Sequence, residues 1–294
     1  MFPRFVRSSA SQATWGFVCK PKWIPWSKWQ AGSFATILAG GLMYGAYAES
    51  AVAELDTSKL RCQWDSSKPK ESIHKPVVVV ACGSFNPPTI MHLRMFELAR
   101  DALKQKGYDP LGGYMSPVND GYGKKDLASA EHRLKMCELA TSSSDMIMVD
   151  HWEATGTAYK RTRAVLERVE QNLKEAFDDG SPSTPTKVML LCGSDLLESL
   201  CVPGVWKPPD VKHILEHHGI VCLARSGSDA VKLINDEKSC LYEFRDKIIV
   251  MEDPVDNAIS SKVIRECLRE GRSVRYIVPE SVVEYMKKNE LYKA

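Results

Sequence analysis

Four valines in a row, Val77 to Val80, followed by Ala81 and Cys82, constrain this chain more than any other feature. A strand with one wet face alternates apolar and polar residues, whereas an unbroken β-branched run belongs to a strand covered on both faces. The pattern then repeats with helical spacing between the runs. LRMFELARDALKQKG (93–107) is a helix stopped by Gly107, GGYMS (112–116) a strand, and AEHRLKMCELA (130–140) a helix. MIMVD (146–150) is a strand and RTRAVLERVEQNLKEAF (161–177) a long helix. KVMLLC (187–192), GIVCLA (219–224) and KIIVM (247–251) supply three further strands. SSKVIRECLREG (260–271) and PESVVEYMKKN (279–289) close the chain as helices, with Pro279 at a first helical position. Strand–helix alternation of this kind predicts an α/β fold, a doubly wound parallel sheet with right-handed crossovers, over residues 76–294.

The first 75 residues read differently. No acid precedes Glu49, while Arg4, Arg7, Lys20, Lys22 and Lys28 do. An Arg-bearing, Ser-rich, acid-free start is the composition of an organelle transit peptide. Ala31 to Ala48 then run without a charge, just short of the ~20 residues that span a bilayer, behind tryptophans and lysines suited to an interface. Residues 1–48 are therefore expected to be a targeting or membrane-sorting segment, with membrane contact through 31–48, and 49–75 a polar linker. The destination expected is mitochondrial and membrane-associated, with the cytoplasm or nucleus as the alternative. A net charge of +2 gives no bias toward nucleic acid. The nine cysteines form no C-x-x-C and no zinc-finger spacing, so reduced core thiols are expected, with neither a disulfide framework nor a protein metal cage.

Ligands of open parallel sheets sit at the carboxyl ends of the strands, and those ends are rich in small and polar groups here. The first exit reads GSFNPPTIMH (83–92). Glycine admits a phosphate close to the backbone, Ser84 is a donor, and the helix start beyond offers free N–H groups. Thr89 and His92 share one face of that helix, three residues apart. Taken alone, the same stretch also suits a plain capped turn with a packed histidine. SPVNDGYGKKDLASAEHR (116–133) places Lys124 and Lys125 in a loop, able to hold phosphate or simply to face water. VDHWEA (149–154) puts Trp152 at a strand exit, where a ring stacks on something flat or caps the core edge. LLCGSDLLESL (190–200) brings Gly193 for close approach and Asp195 for a ribose hydroxyl pair, or as a helix cap. NAISSKVIRECLREG (257–271) starts a helix on Ser260 and Ser261 with Arg265 one turn on, a bidentate phosphate fork or a solvated arginine.

Together these segments resemble the nucleotidyltransferase superfamily. GSFNPPTIMHLRMFELA closely resembles the eukaryotic type of nicotinamide/nicotinate mononucleotide adenylyltransferase, and I-S-S-K-x-I-R resembles the superfamily's I-S-S-T-x-I-R, with Lys262 in place of threonine. The resemblance runs over about residues 76–292. It implies a Rossmann-like nucleotidyltransferase fold and an ATP site formed by Gly83, Ser84, Phe85, Thr89, His92, Ser260, Ser261 and Arg265. For the mononucleotide it implies Ser84, Lys124, Lys125, Trp152, Thr155, Gly193, Asp195, Trp206 and Asn257, with Tyr159 where the family has a further tryptophan. His92, Lys124 and Arg265 would carry the catalysis.

The reaction implied joins nicotinamide or nicotinate mononucleotide to ATP, with Mg²⁺ accompanying the triphosphate, to give NAD or deamido-NAD and pyrophosphate. A homo-oligomer is implied as well. The alternatives are another adenylyl- or cytidylyltransferase of the superfamily, which would not need Trp152 or Trp206, and a non-catalytic, chaperone-like scaffold of this fold.

Overall fold

The computed structural model describes residues 54–60, 75–177, 185–224, 229–255 and 258–293. The expected targeting segment, most of the linker, the strand exit at Arg225–Gly227 and Asn257 lie outside the described residues. In chain order the elements are β1 (Lys75–Gly83), α1 (Ile90–Gln105), β2 (Tyr108–Pro117), α2 (Ala130–Thr141) and β3 (Ile147–Val149). They continue through α3 (Trp152–Thr155), α4 (Thr162–Phe177), β4 (Lys187–Gly193), α5 (Ser194–Ser199), α6 (Pro208–His213) and β5 (Ile220–Ala224). α7 (Ala230–Asn235), β6 (Ile248–Glu252), α8 (Ser261–Arg269) and α9 (Glu280–Lys288) complete the fold.

The six strands form one sheet in the order β3-β2-β1-β4-β5-β6, and every pairing is parallel. The valine run explains the centre of that sheet. Val78 and Val80 point into one core, with Val188, Leu190 and Cys222, under Val165, Leu166 and Val169 of α4. Val77, Val79 and Ala81 point into the other, with Met189, Leu191 and Val221, under Phe96, Ala99 and Leu103 of α1. Each buried valine contributes roughly 1.5–3 kcal/mol of transfer free energy, and here both faces collect it. The glycine pair of β2 serves the same packing. A Cβ on Gly113 would lie 2.6 Å from Phe96 Cε1 and 2.9 Å from Val79 Cγ2, so α1 can approach the sheet only over a bare backbone.

Three departures from the sequence expectation stand out. β2 begins at Tyr108, earlier than GGYMS suggests, and includes Pro110; the register with β1 shifts between Val77 and Val78, leaving Leu111 as the extra residue. Pro279 is the cap residue before α9 rather than its first residue. Cys201, just after α5, and Cys240, after α7, are joined by a disulfide with Cα atoms 5.9 Å apart, while Cys82, Cys137, Cys192, Cys222 and Cys267 are free. That pair is 39 residues apart and is brought together by the tertiary fold, which no local spacing announces.

Residues 54–60, part of the stretch expected to be linker, pack on the domain. Leu55 and Leu60 are buried in the α4-side core. The Tyr114 hydroxyl donates to Asp56 O at 2.7 Å, and Lys59 Nζ donates to Thr141 O at 2.9 Å and Ile147 O at 3.0 Å. The strap thus satisfies carbonyls at the end of α2 and at the sheet's edge strand, positions otherwise left to water. Among the described residues no helix is long and apolar enough to cross a membrane.

Candidate active site

β4 lies on the opposite side of β1 from β2, so the chain reverses its direction of travel across the sheet between these two strands. The crevice at their carboxyl ends is the switch point where open sheets bind ligands. A cleft of about 330 Å³ opens there, lined by Gly83, Ser84 and Phe85 after β1 and by Gly193 at the end of β4.

The β1 exit turns sharply. Phe85 takes φ 42°, an unfavourable region for a residue with a bulky side chain, and is buried. Its ring meets His92 edge-on at 5.2 Å between centroids. The helix start is a capping box with histidine in the place usually held by glutamate. His92 N donates to Thr89 O at 3.1 Å, and Thr89 N donates to His92 Nδ1 at 3.0 Å. A backbone N–H can only donate, so Nδ1 is the acceptor and the ring proton resides on Nε2. The imidazole lining the cleft is therefore a hydrogen-bond donor through Nε2.

α8 closes the other side. Ser260 is its N-cap, accepting from Val263 N at 3.3 Å. The Ser261 hydroxyl donates to Pro87 O at 2.8 Å, which joins α8 to the β1 exit. Arg265 Nη1 donates to Asn86 O at 2.8 Å and Ser261 O at 3.2 Å, and its Nε is buried with no partner among the described residues. Facing it, Lys124 Nζ reaches Ser84 Oγ at 3.4 Å. Partial desolvation, and then the Arg265 charge, hold the Lys124 ammonium below the usual lysine range. Among the described residues the charged groups lining the cleft are Lys124, Lys262, Arg265 and Asp253. The one carboxylate is already paired, with Arg94 Nε and Nη2 donating to Asp253 at 2.6 and 2.8 Å. An excess of cations that repel one another at helix and strand ends is a site made for anions.

All eight residues expected on the ATP side line this cleft, and so do Ser84, Lys124 and Gly193 of the mononucleotide set. Lys125, Trp152, Thr155, Asp195 and Trp206 do not. Lys125 and Asp195 are exposed. Thr155 Oγ1 donates to His151 O at 2.9 Å, spending its hydroxyl on its own helix. Trp206 Nε1 donates to Ser199 Oγ at 3.0 Å and its ring leans on the α4-side core. Trp152 is seated by a buried polar cluster: Ser116 Oγ and Arg168 Nη1 both donate to Asp150 at 3.0 Å, and Trp152 N donates to the same carboxylate at 3.3 Å. Its ring already has Arg168 at 5.1 Å and Lys160 at 5.5 Å. Tyr159 meets Tyr122 in a tilted pair, 5.5 Å between centroids and 37° between planes.

Two residues that build the site were not anticipated. Arg133 is fully buried and donates to Ala128 O at 2.7 Å, Ser84 O at 3.3 Å and Asp120 Oδ1 at 2.8 Å, holding the lysine loop and the β1 exit together. Its signal was present, since it falls among Ala130, Leu134 and Cys137 on the apolar face of α2. Asn86, 1% exposed, sits inside the β1 exit. The apolar wall of the cleft, from Met91 and Met95 to Leu196 and Leu223, was also unmarked in the sequence.

A family model described as cytidylyltransferase-like matches residues 80–267. A nicotinamide/nicotinic acid mononucleotide adenylyltransferase of Oryza sativa subsp. japonica is 51% identical over 218 residues, covering 74% of this chain and 86% of the relative. The protein of that name from Arabidopsis thaliana is 50% identical over 216 residues, covering 74% of this chain and 90% of its own. Among solved structures, the nicotinic acid mononucleotide adenylyltransferase of Plasmodium falciparum complexed with NaAD superposes with a TM-score of 0.55 at 15% identity, over 74% of this chain and 97% of that one. That likeness speaks for the fold. The turn at Gly83–His92, the serine–arginine start of α8 and half-identical relatives over 74% of the chain place it in one family: it belongs to the nicotinamide/nicotinic acid mononucleotide adenylyltransferases, within the cytidylyltransferase-like family.

Proposed function

We propose that this chain transfers the adenylyl group of ATP to nicotinamide mononucleotide or nicotinate mononucleotide, at the cleft between the β1 and β4 exits. The observation that carries the reading is the charge balance there: Lys124 and Arg265, with Lys262 paired to Glu266 at 4.0 Å, against a carboxylate that Arg94 neutralises. A phosphate oxygen of the mononucleotide attacks the α-phosphorus of ATP. The O–Pα bond forms, the bond from Pα to the bridging oxygen breaks, and its electron pair leaves with pyrophosphate. No proton moves, because the nucleophile is already an anion. The protein's contribution is position, worth ~7–11 kcal/mol where alignment is good, together with donors aimed at charge that develops on the leaving group.

In this reading His92 Nε2–H, the Ser260 start of α8 and Arg265 hold the triphosphate. Lys124 and Ser84 hold the attacking phosphate. Trp152, Thr155, Trp206 and Asp195 serve the mononucleotide's base and ribose from beyond the cleft, Lys125 stands next in line to Lys124 for its phosphate, and Asn257 belongs to the same mononucleotide set on the resemblance. Among the described residues no three His, Cys, Asp or Glu side chains are grouped to hold a metal ion. Mg²⁺ suits such a site through water and phosphate oxygens, and when bound it would neutralise phosphate charge. The test is direct. The full chain with ATP, Mg²⁺ and either mononucleotide is expected to release one pyrophosphate per mononucleotide consumed. CTP in place of ATP is expected to support little turnover. Pyrophosphate release with CTP but not ATP would favour a cytidylyltransferase and sink this reading.

Mitochondrial delivery and membrane contact through residues 31–48 belong to the same proposal, on the strength of the acid-free, Arg-bearing leader. Residues 1–60 fused to a fluorescent reporter are expected to direct it to mitochondria; a diffuse cytosolic or nuclear signal would refute that part alone. The homo-oligomer is proposed on the resemblance, and a monomer mass by light scattering would remove it.

A further inference from the structure

The two cations that line the cleft, Lys124 and Arg265, lie on different elements, and one residue, Asn86, bonds to both of those elements. Asn86 Oδ1 accepts from Ala128 N at 3.1 Å and from the Tyr292 hydroxyl at 2.6 Å, and Asn86 Nδ2 donates to Asp126 O at 2.7 Å. The main-chain oxygen of Asn86 accepts from Arg265 Nη1 at 2.8 Å. One buried residue therefore grips the loop that carries Lys124 and, through its carbonyl, the guanidinium of Arg265. The loop is tied a second time, since Arg269 Nη2 of α8 donates to the Asp126 carboxylate at 3.1 Å.

The orientation of the Asn86 amide is not free. Ala128 N is a donor and Asp126 O an acceptor, so the oxygen and nitrogen can face only one way. The remaining acceptor site on Oδ1 then needs a donor, and the Tyr292 hydroxyl supplies it from the far end of the chain, 206 residues away. Tyr292 lies beyond α9 in the left-handed region, at φ 61°, and its ring packs with Leu291 on the core between α2, α8 and α9. Burial raises the phenol above the usual tyrosine range, so the donor persists across the neutral range. Packing alone would be served by phenylalanine. What the hydroxyl adds is a hold on Asn86.

We infer that Tyr292 is a positioning residue for adenylyl transfer, acting through Asn86 to fix Arg265 and the lysine loop at the separation the reacting phosphates require. The inference rests on the adenylyltransferase reading above and deepens it. Neither Tyr292 nor Asn86 lines the cleft, so neither is needed to touch a substrate. Their loss is expected to act on the reaction step rather than on binding, because small misplacements of charged groups cost rate more than affinity.

The experiment uses the full chain as Tyr292→Phe, Asn86→Ala and the double variant, assayed where circular dichroism shows all of them folded. Tyr292→Phe is expected to lower kcat about tenfold while KM for ATP and for the mononucleotide stays within about twofold. Asn86→Ala is expected to fall further, and the double variant to match Asn86→Ala, since the tyrosine acts through the asparagine. Should Asn86→Ala not fold, Arg265→Lys takes its place in the cycle, with the same non-additivity expected. A Tyr292→Phe kcat within twofold of the parent chain would overturn the inference, as would effects that simply multiply in the double variant. A parent chain that makes no dinucleotide would instead overturn the reading on which the inference stands.

Discussion

His92→Glu is expected to keep α1 intact and to lower kcat by roughly a thousandfold or more. The two parts of that expectation come from different atoms of one side chain. Nδ1 closes the capping box by accepting from Thr89 N, and glutamate is the residue that most often fills that place. A cap of this kind is worth ~1 kcal/mol, so a glutamate that preserves it should leave the thermal midpoint near that of the parent chain. Nε2–H, in contrast, is a donor on a ring that lines the cleft, and glutamate replaces it with an anion. Losing one well-placed donor to a developing negative charge costs about 10²–10³ in kcat, and repulsion of the phosphates adds to that. His92→Ala is the companion variant: it loses the donor and the cap together. Its kcat should fall with a modest drop in melting temperature. A His92→Glu chain that melts normally and still turns over within tenfold of the parent would remove His92 from the site.

Glu153→Gln is expected to change the pH dependence of stability by up to about 3 kcal/mol. Glu153 is 1% exposed, and its Oε1 has no partner among the described residues. Burial, and then the nearby Asp150 charge, push its carboxyl up to about 7, against an opposing pull from the Asn119 and Lys160 backbone and from Arg133. The ordinary glutamate value is 4.5. Between 4.5 and 7 the folded chain therefore holds a proton that the unfolded chain has released. With more protons bound in the folded state, stability falls as pH rises through that window and levels off above it. Below 4.5 both states are protonated and the penalty vanishes. Glutamine carries no charge at any pH. The variant should be more stable than the parent at pH 8, by roughly 1–3 kcal/mol at ~1.4 kcal/mol per pKa unit, and no more stable at pH 4. Denaturant titrations at the two pH values check it. Parallel pH profiles for the two proteins would mean that folding leaves the Glu153 carboxyl at its ordinary value, and would overturn the prediction.

What could be read in the sequence was what is local. The central strands announce themselves because a strand covered on both faces needs an unbroken apolar run, and Val77–Ala81, Val188–Cys192 and Ile220–Leu223 are such runs; β2, broken by Asp109, Pro110 and a glycine pair, shows only its end. The long helices show the 3.6 period because one face is wet. α3, α5, α6 and α7, four to six residues each, are too short to display a period, and packing under the sheet rather than propensity makes them helical. The strap at 54–60 was hidden in a polar composition in which Leu55 and Leu60 do the burying.

The same division runs through the site. Gly83, Ser84, Thr89 and His92 share one short stretch, as do Ser260, Ser261 and Arg265, so their chemistry follows from adjacency. Arg133, Asn86 and Tyr292 act across 49, 40 and 206 positions, respectively, and only the fold brings their partners within reach. The mononucleotide set was the least local reading, and it is the one the cleft only partly gathers: Ser84, Lys124 and Gly193 line it, whereas Trp152 and Trp206 are seated beside it by Asp150 and Ser199.

The central claim is that two phosphates meet between the β1 and β4 exits and that the α-phosphorus of ATP is the atom attacked. The measurement that tests it follows the label from ATP carrying radioactive phosphorus at the α position, incubated with the full chain, Mg²⁺ and nicotinamide mononucleotide. The label is expected in the dinucleotide, in equal amount to the pyrophosphate released, with the pyrophosphate itself unlabelled. Label left wholly in ATP or AMP, with no labelled dinucleotide formed, would contradict it.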